Sequence, residues 1–214
     1  MRCGLCVQRK AKRFCPARSE QICPQCCGEK RVLEIDCPET CVYLKAGRER
    51  DSPDYLRHLR GMDAATQEKA GRVLQSHEDV IARLEYAIGR ERLLSRDLTD
   101  RDVVEAVDAL LETYGTEEKG ILYEKCLDDL RIESLRKQLR EVVESFRNPG
   151  GEQNNGLVDL RNTRLSLRAA IECLEFLRSM AEAYIEDRRA ARGYVDFLAR
   201  MVPSEKRRGS LIVL

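Results

Sequence analysis

Eight of the ten cysteines of this 214-residue chain stand within its first 41 residues, at Cys3, Cys6, Cys15, Cys23, Cys26, Cys27, Cys37 and Cys41. A segment of about fifty residues buries too little surface to hold itself together on an apolar core alone. It therefore needs cross-links, and cysteines at this density offer two kinds, disulfides or a metal. Disulfides require an oxidising compartment. The start, Met1-Arg2-Cys3-Gly4, runs straight into the cysteines without the apolar core of a secretory signal, so the expectation is a cytoplasmic protein with reduced thiols. Cys3/Cys6 and Cys23/Cys26 are Cys-x2-Cys pairs. Two residues between ligands let a tight turn aim both thiolates, and backbone N–H groups, at one ion; tetrahedral zinc then takes two more sulfurs from elsewhere. Eight sulfurs divide into two such sets. Structural zinc supplies about 10–16 kcal/mol of apparent binding energy at neutral pH, enough to fold a module of this size.

The runs Cys3-Gly-Leu-Cys6, Arg13-Phe14-Cys15-Pro16 and Ile22-Cys23-Pro24-Gln25-Cys26 resemble the HIT-type and MYND-type zinc fingers. Those fingers bind two zincs through interleaved pairs, in a cross-brace or treble-clef-like arrangement. By that resemblance the first site is Cys3, Cys6, Cys23 and Cys26, and the second is Cys15, Cys27, Cys37 and Cys41. The chain departs from the family pattern in two places. No second cysteine follows Cys15-Pro16 closely, and the late histidine is missing, since His58 and His77 lie beyond the module. Cys27 and the Cys37/Cys41 pair are assigned to fill those places, with Cys27 as a spare thiol the alternative. The whole chain also resembles bacterial proteins that begin with a cysteine-rich segment of this kind, a likeness that implies no activity.

An iron–sulfur cluster is the competing metal reading, because Cys23-Pro24, Cys37-Pro38 and Cys26-Cys27-Gly28 occur in the style of cluster-binding sequences. Ferredoxin-type ligation wants a dense Cys-x2-Cys-x2-Cys-x3-Cys-Pro run, which this chain lacks, so zinc is favoured. Redox chemistry at Cys23-Pro-Gln-Cys26 would want a strand–helix setting that the sequence does not announce.

Charge is divided between the two ends of the chain. Residues 1–50 hold eleven basic and six acidic side chains, a formal +5, and the remainder carries −4. Arg9, Lys10, Lys12 and Arg13 cluster after the first knuckle and are the candidates for nucleic-acid contact through phosphates. Two zinc tetrathiolates would themselves add a formal −4, about cancelling this excess. With Phe14 and Tyr43 as the module's aromatics, stacking on single strands is poorly supported. Compensation of the metal centre or docking of a protein partner is favoured over nucleic acid.

Beyond residue 50 the pattern is helical. Ser52-Pro53 offers a cap with proline at the first helical position. Val73/Leu74, His77, Ile81, Leu84 and Ile88 mark one long amphipathic helix. Thr99 caps a helix bearing Val103, Val107, Leu110 and Tyr114, which Gly115 is expected to end. The next is expected to start at Thr116 and run past Leu135, Leu139, Val142 and Phe146 to Asn148. Residues 148–156 read as a flexible loop. Two further helices carry Leu167 to Ile185 and Tyr194 to Met201. Cys126 and Cys173 fall on apolar faces and read as core thiols, His77 as a core histidine and His58 as a surface one.

The expected architecture is mainly α: a zinc-binding module at 1–50, a helical bundle or long helical hairpins at 51–203, and a basic and apolar tail at 204–214, ending Leu211-Ile212-Val213-Leu214, that docks back on the protein. No apolar stretch reaches the length of a membrane span. There is no Gly-rich phosphate loop, no Gly-x-Ser-x-Gly and no His-Glu-x2-His, and adjacent carboxylates such as Asp128/Asp129 do not share a helix face. A non-enzymatic scaffold or adaptor with two structural zincs, a protein partner and a capacity for self-association is the expected function.

Overall fold

The computed structural model describes residues 1–149, 164–187 and 191–207. The N-terminal module contains a hairpin of β1 (Arg13–Cys15) and β2 (Glu20–Ile22), antiparallel with Phe14 opposite Gln21, followed by the short helix α1 (Pro24–Lys30). The body is built from α2 (Val42–Gly61), α3 (Ala64–Leu94), α4 (Asp100–Glu118), α5 (Leu130–Arg147), α6 (Leu167–Glu186) and α7 (Gly193–Met201), with a last turn α8 (Ser204–Arg207). The chain is thus mainly α with a small two-stranded N-terminal sheet. No helix among the described residues is long and apolar enough to cross a membrane.

The helices form where caps and apolar periodicity agree. Thr99 closes a capping box at α4: its hydroxyl accepts the Asp102 N–H at 3.3 Å, and the Asp102 carboxylate accepts the Thr99 N–H at 2.7 Å. Val103, Val107 and Leu110 then face α6, whose Ala170, Cys173, Leu174, Leu177 and Ala181 are fully buried. Helix α3 lies against α5, α6 and α7, and its Leu84 and Ile88 are fully buried. Its contact with α7 is close: a Cβ at Gly89 would stand 2.8 Å from the backbone oxygen of Leu198.

Several expectations are corrected. Helix α2 starts at Val42, after the N-cap Cys41, not at Ser52, and holds Pro53 in its interior. The turn ahead of the proline is fixed by tertiary contacts, with Leu44 buried in the module and Arg48 bonded to backbone of the C-terminal segment, and these override the local stop. Gly115 does not end α4. The stop is Gly120, at φ +78°, where the Gly120 and Ile121 N–H groups return to Glu117 and Thr116 carbonyls.

No helix starts at Thr116. Residues 121–127 form no regular secondary structure; there Thr113 Oγ1 accepts the Lys125 N–H (3.1 Å), Glu133 accepts the Leu127 N–H (3.1 Å), and the buried Arg136 pairs with Glu133 and Glu124. Cys126 is therefore exposed, not a core thiol, while Cys173 is buried as expected. His58 is buried, not a surface residue: its ring stacks on Tyr184 at 3.6 Å and its Nε2 meets Asp187 at 3.2 Å. His77 is half-buried at a kink in α3 (φ −139°, ψ 33°) rather than in the core. Most of the expected 148–156 loop and the Leu211–Leu214 tail lie outside the described residues.

Asp100, the first residue of α4, is fully buried and caps α7, accepting the N–H groups of Tyr194 (3.2 Å) and Val195 (3.0 Å). Burial pushes its carboxyl up to about 6 against the pull of those donors. The folded chain therefore holds this proton more tightly than the unfolded chain, and the contribution is present below about pH 4 and lost as pH rises through about 6. Urea titrations of wild type and Asp100→Asn should differ by a slope confined to that window. Separately, Gly89→Ala should cost about 1–3 kcal/mol by forcing α3 and α7 apart, whereas Gly71→Ala, with open space around it, should stabilise by up to about 1 kcal/mol. Urea midpoints check both.

Candidate metal centre

The first knuckle is shaped by backbone hydrogen bonds. The Cys3 N–H bonds the Arg9 carbonyl (2.9 Å), the Val7 N–H returns to the Cys3 carbonyl (2.8 Å), and the Gly4 N–H reaches Gln21 on β2 (3.0 Å). Val7 takes φ +58°, a left-handed turn that costs a β-branched residue strain and reverses the chain after the second ligand. The second pair lies where the hairpin leads into α1. Cys23 is the N-cap, with Pro24 at the first helical position, and its sulfur accepts the Cys26 N–H at 3.3 Å. The Cys23 N–H in turn donates to the Cys3 sulfur at 3.1 Å.

These turns bring the sulfurs of Cys3, Cys6, Cys23 and Cys26 within 4.8 Å of one another. In a tetrahedral zinc site with bonds of about 2.3 Å, sulfurs lie about 3.8 Å apart, so the spacing suits such an ion. Cys3, Cys23 and Cys26 are buried and Cys6 is half-buried. Burial would raise the Cys3 thiol, but N–H groups of Cys6, Cys23 and Leu5 outweigh it and bring it down to about 6. N–H groups of Arg9 and Gln8 lower Cys6. Cys26 goes the other way, pushed up to about 12 by burial and by its sulfur neighbours. Cys3 and Cys6 are thus prepared as thiolates by backbone dipoles, while Cys26 needs a cation to ionise.

Arg9 stands over the group. Its Nη1 lies 3.7 Å from the sulfurs of Cys23 and Cys26 and 3.9 Å from that of Cys6. Of the four basic residues considered for nucleic acid, Arg9 faces sulfur and Arg13 stacks over the Tyr43 ring at 4.7 Å, while Lys10 and Lys12 are exposed. Cys15, Cys27, Cys37 and Cys41 are all buried in one cluster with Ile22, Val32, Ile35 and Leu44. Burial pushes the Cys37 thiol up, and the other three cysteines stand near enough to add to that shift. Among the described residues, the first set is the one whose sulfurs converge to 4.8 Å.

Two further features had no local signal in the sequence. Arg31 is buried, bonding the carbonyls of Gly28 and Tyr43 at 3.3 Å, and fills the space that Gly47 leaves: a Cβ there would lie 1.2 Å from its Nη1. Arg48 joins the module to the body, pairing with Glu39 and donating to the carbonyls of Arg200 (2.8 Å) and Val202 (3.2 Å). Glu39 also accepts the Ser204 N–H at 2.9 Å. The contacts of Arg48 with Arg200 and Val202, and of Glu39 with Ser204, join residues more than 150 apart in sequence, so only the folded chain reveals them.

Compared with known proteins, the chain matches no family model, no curated protein and no solved structure. The likeness to HIT and MYND fingers rests on the cysteine steps alone; the N-terminal cluster is zinc-finger-like and has the donors to hold a metal. Outer donors to ligating sulfurs commonly govern affinity. Arg9→Ala is expected to weaken metal affinity about tenfold or more, measured by competition with a chromogenic chelator, while Lys10→Ala should leave it unchanged.

Proposed function

We propose that this protein is a non-enzymatic scaffold whose N-terminal module is held by structural zinc and presents a rigid surface to a protein partner, with the helical body supplying length and a face for self-association. The observation that carries this reading is the convergence of the Cys3, Cys6, Cys23 and Cys26 sulfurs at a spacing suited to a closed four-sulfur site. A site with four protein ligands leaves no position for substrate, which favours structure over catalysis. The second zinc would be taken by Cys15, Cys27, Cys37 and Cys41. The partner surface is proposed around Val7 and Phe14, apolar side chains that stand 63% and 53% exposed on the module while its interior is filled. Nucleic acid is the less favoured partner because Arg9 and Arg13 are engaged within the module.

Elemental analysis and an absorption spectrum of protein purified without oxygen test the reading. Two zincs per chain and no visible colour are expected, falling to one with Cys41→Ser. Iron with sulfide and a brown absorbance would overturn it in favour of a cluster protein. A zinc content unchanged by Cys41→Ser would remove that residue from the second site. Binding to nucleic acid that weakens steeply with salt would replace the protein partner.

A further inference from the structure

Far from the cysteines in chemistry, a cavity of about 550 Å³ opens between α2, α3 and α7. Its walls are largely apolar, with Leu56, Leu74, Ile81, Phe197 and Met201 among them. Its charged lining residues are Glu78 and Glu85, and no lysine, arginine or histidine stands among the described residues that line it.

Glu85 is built into this cavity. It lies on α3 one turn beyond Ile81, and its Oε1 accepts two tyrosine hydroxyls, from Tyr55 on α2 at 2.8 Å and from Tyr194 on α7 at 2.9 Å. Tyr194 is fully buried, and Tyr55 is itself stacked on Phe197 with ring centroids 5.2 Å apart. The carboxylate is thus fixed in place by three helices. Its other oxygen, Oε2, accepts no hydrogen bond from any described residue and is not sealed from solvent. A tie between helices needs only Oε1. The two hydroxyls are neutral, so they orient the carboxylate without cancelling its charge.

We propose that this cavity binds a small organic cation: an ammonium group on an apolar body, the charge paired with Glu85 Oε2 and the body packed against Phe197, Leu74 and Ile81. The volume falls within the range of small-molecule sites, which are mostly apolar with a few well-placed polar groups. A cation is the complement of a lining whose charged members are both acidic, and the aromatic rings of Tyr55 and Phe197 add to its attraction. Burial pushes the Glu85 carboxyl up despite the two tyrosine donors. A cation beside Oε2 offsets that cost by stabilising the ionised form. A neutral apolar ligand would leave Oε2 without a partner, and an anion would meet like charge. No residue that lines the cavity belongs to the cysteine group, so the recognition chemistry is separate from that of the metal.

The test compares 2-phenylethylamine, protonated at neutral pH, with its neutral isostere 2-phenylethanol, by calorimetry or ligand-observed NMR on the full-length, metal-loaded protein. The amine is expected to bind about tenfold more tightly than the alcohol, the margin of a charge-assisted hydrogen bond. Glu85→Gln keeps an oxygen for the two hydroxyls and removes the charge, so it should bring the amine down to the affinity of the alcohol. Ala82→Trp, at an exposed position on the rim, should abolish binding of both. Equal binding of amine and alcohol by the wild type would overturn the proposal, as would failure of both to bind at millimolar concentration. A preference for the amine that survives Glu85→Gln would do the same. The wild-type comparison decides the matter even where a variant fails to fold.

Discussion

Four sulfurs within 4.8 Å of one another repel as thiolates, and as thiols they leave backbone N–H donors facing weak acceptors. A dication at their centre removes both difficulties together. The arrangement around them is that of a cation site completed from outside: N–H groups of Cys23 and Cys26 point at sulfur, and Arg9 adds a positive charge over three of the four. Apart from this group, the module has two three-residue strands, one seven-residue helix and a small cluster around Ile22, Val32, Ile35 and Leu44. Such a core cannot offset the conformational entropy of some forty residues, at roughly 1–2 kcal/mol each for the backbone. A metal held by this group would be the condition on which the rest of the module depends.

The module's fold reaches into the body because the two share a helix. Cys41 stands at the N-cap position of α2, so the helix begins directly after the last of the eight clustered cysteines. Leu44, one turn on, is buried among the cysteines, while Tyr55, three turns further, packs on the bundle. Leu93 near the end of α3 packs against the cysteine cluster from the other side. Arg48 adds direction to these apolar contacts, since its guanidinium bonds Glu39 and two carbonyls at the end of α7 in one plane. A long helix rooted in one unit and clamped to the other holds the two in a fixed relation.

Local chemistry made part of this legible. The Cys-x2-Cys steps identified the converging sulfurs, and Thr99 with Asp102 identified the start of α4, because a cap or a knuckle is satisfied by residues two or three apart. Helices α3, α6 and α7 followed from apolar spacing, since their buried faces are continuous. What escaped is what depends on distant partners. Pro53 sits inside α2 because Arg48 and Leu44 hold the preceding turn. Residues 121–127 are non-helical, with Thr113 and Glu133 accepting backbone N–H groups there and Arg136 pairing with Glu124. His58 is buried because Tyr184 and Asp187, some 130 residues away, receive both its ring face and its Nε2. Glu85 lies beside Leu84 on α3, and its tyrosine partners come from two other helices, so nothing local pairs them.

The cavity and the metal centre are joined through the same two helices. Helix α2 leaves the module at Cys41 and lines the cavity with Ser52, Tyr55 and Leu56. The end of α7 lines it with Phe197, Met201 and Val202, while the carbonyls of Arg200 and Val202 are held by Arg48 from the module side. The cavity wall and the module's anchor are therefore successive residues of one short helix and its C-terminal turn. A nine-residue helix has little stability of its own and takes its position from what it packs against. Releasing Arg48 by unfolding the module would free the end of α7 and with it Phe197 and Met201. Seating a ligand against Phe197 would hold that end in place. By linkage, whatever coupling exists acts equally in both directions, so a ligand that favours the ordered α7 also favours the module that orders it.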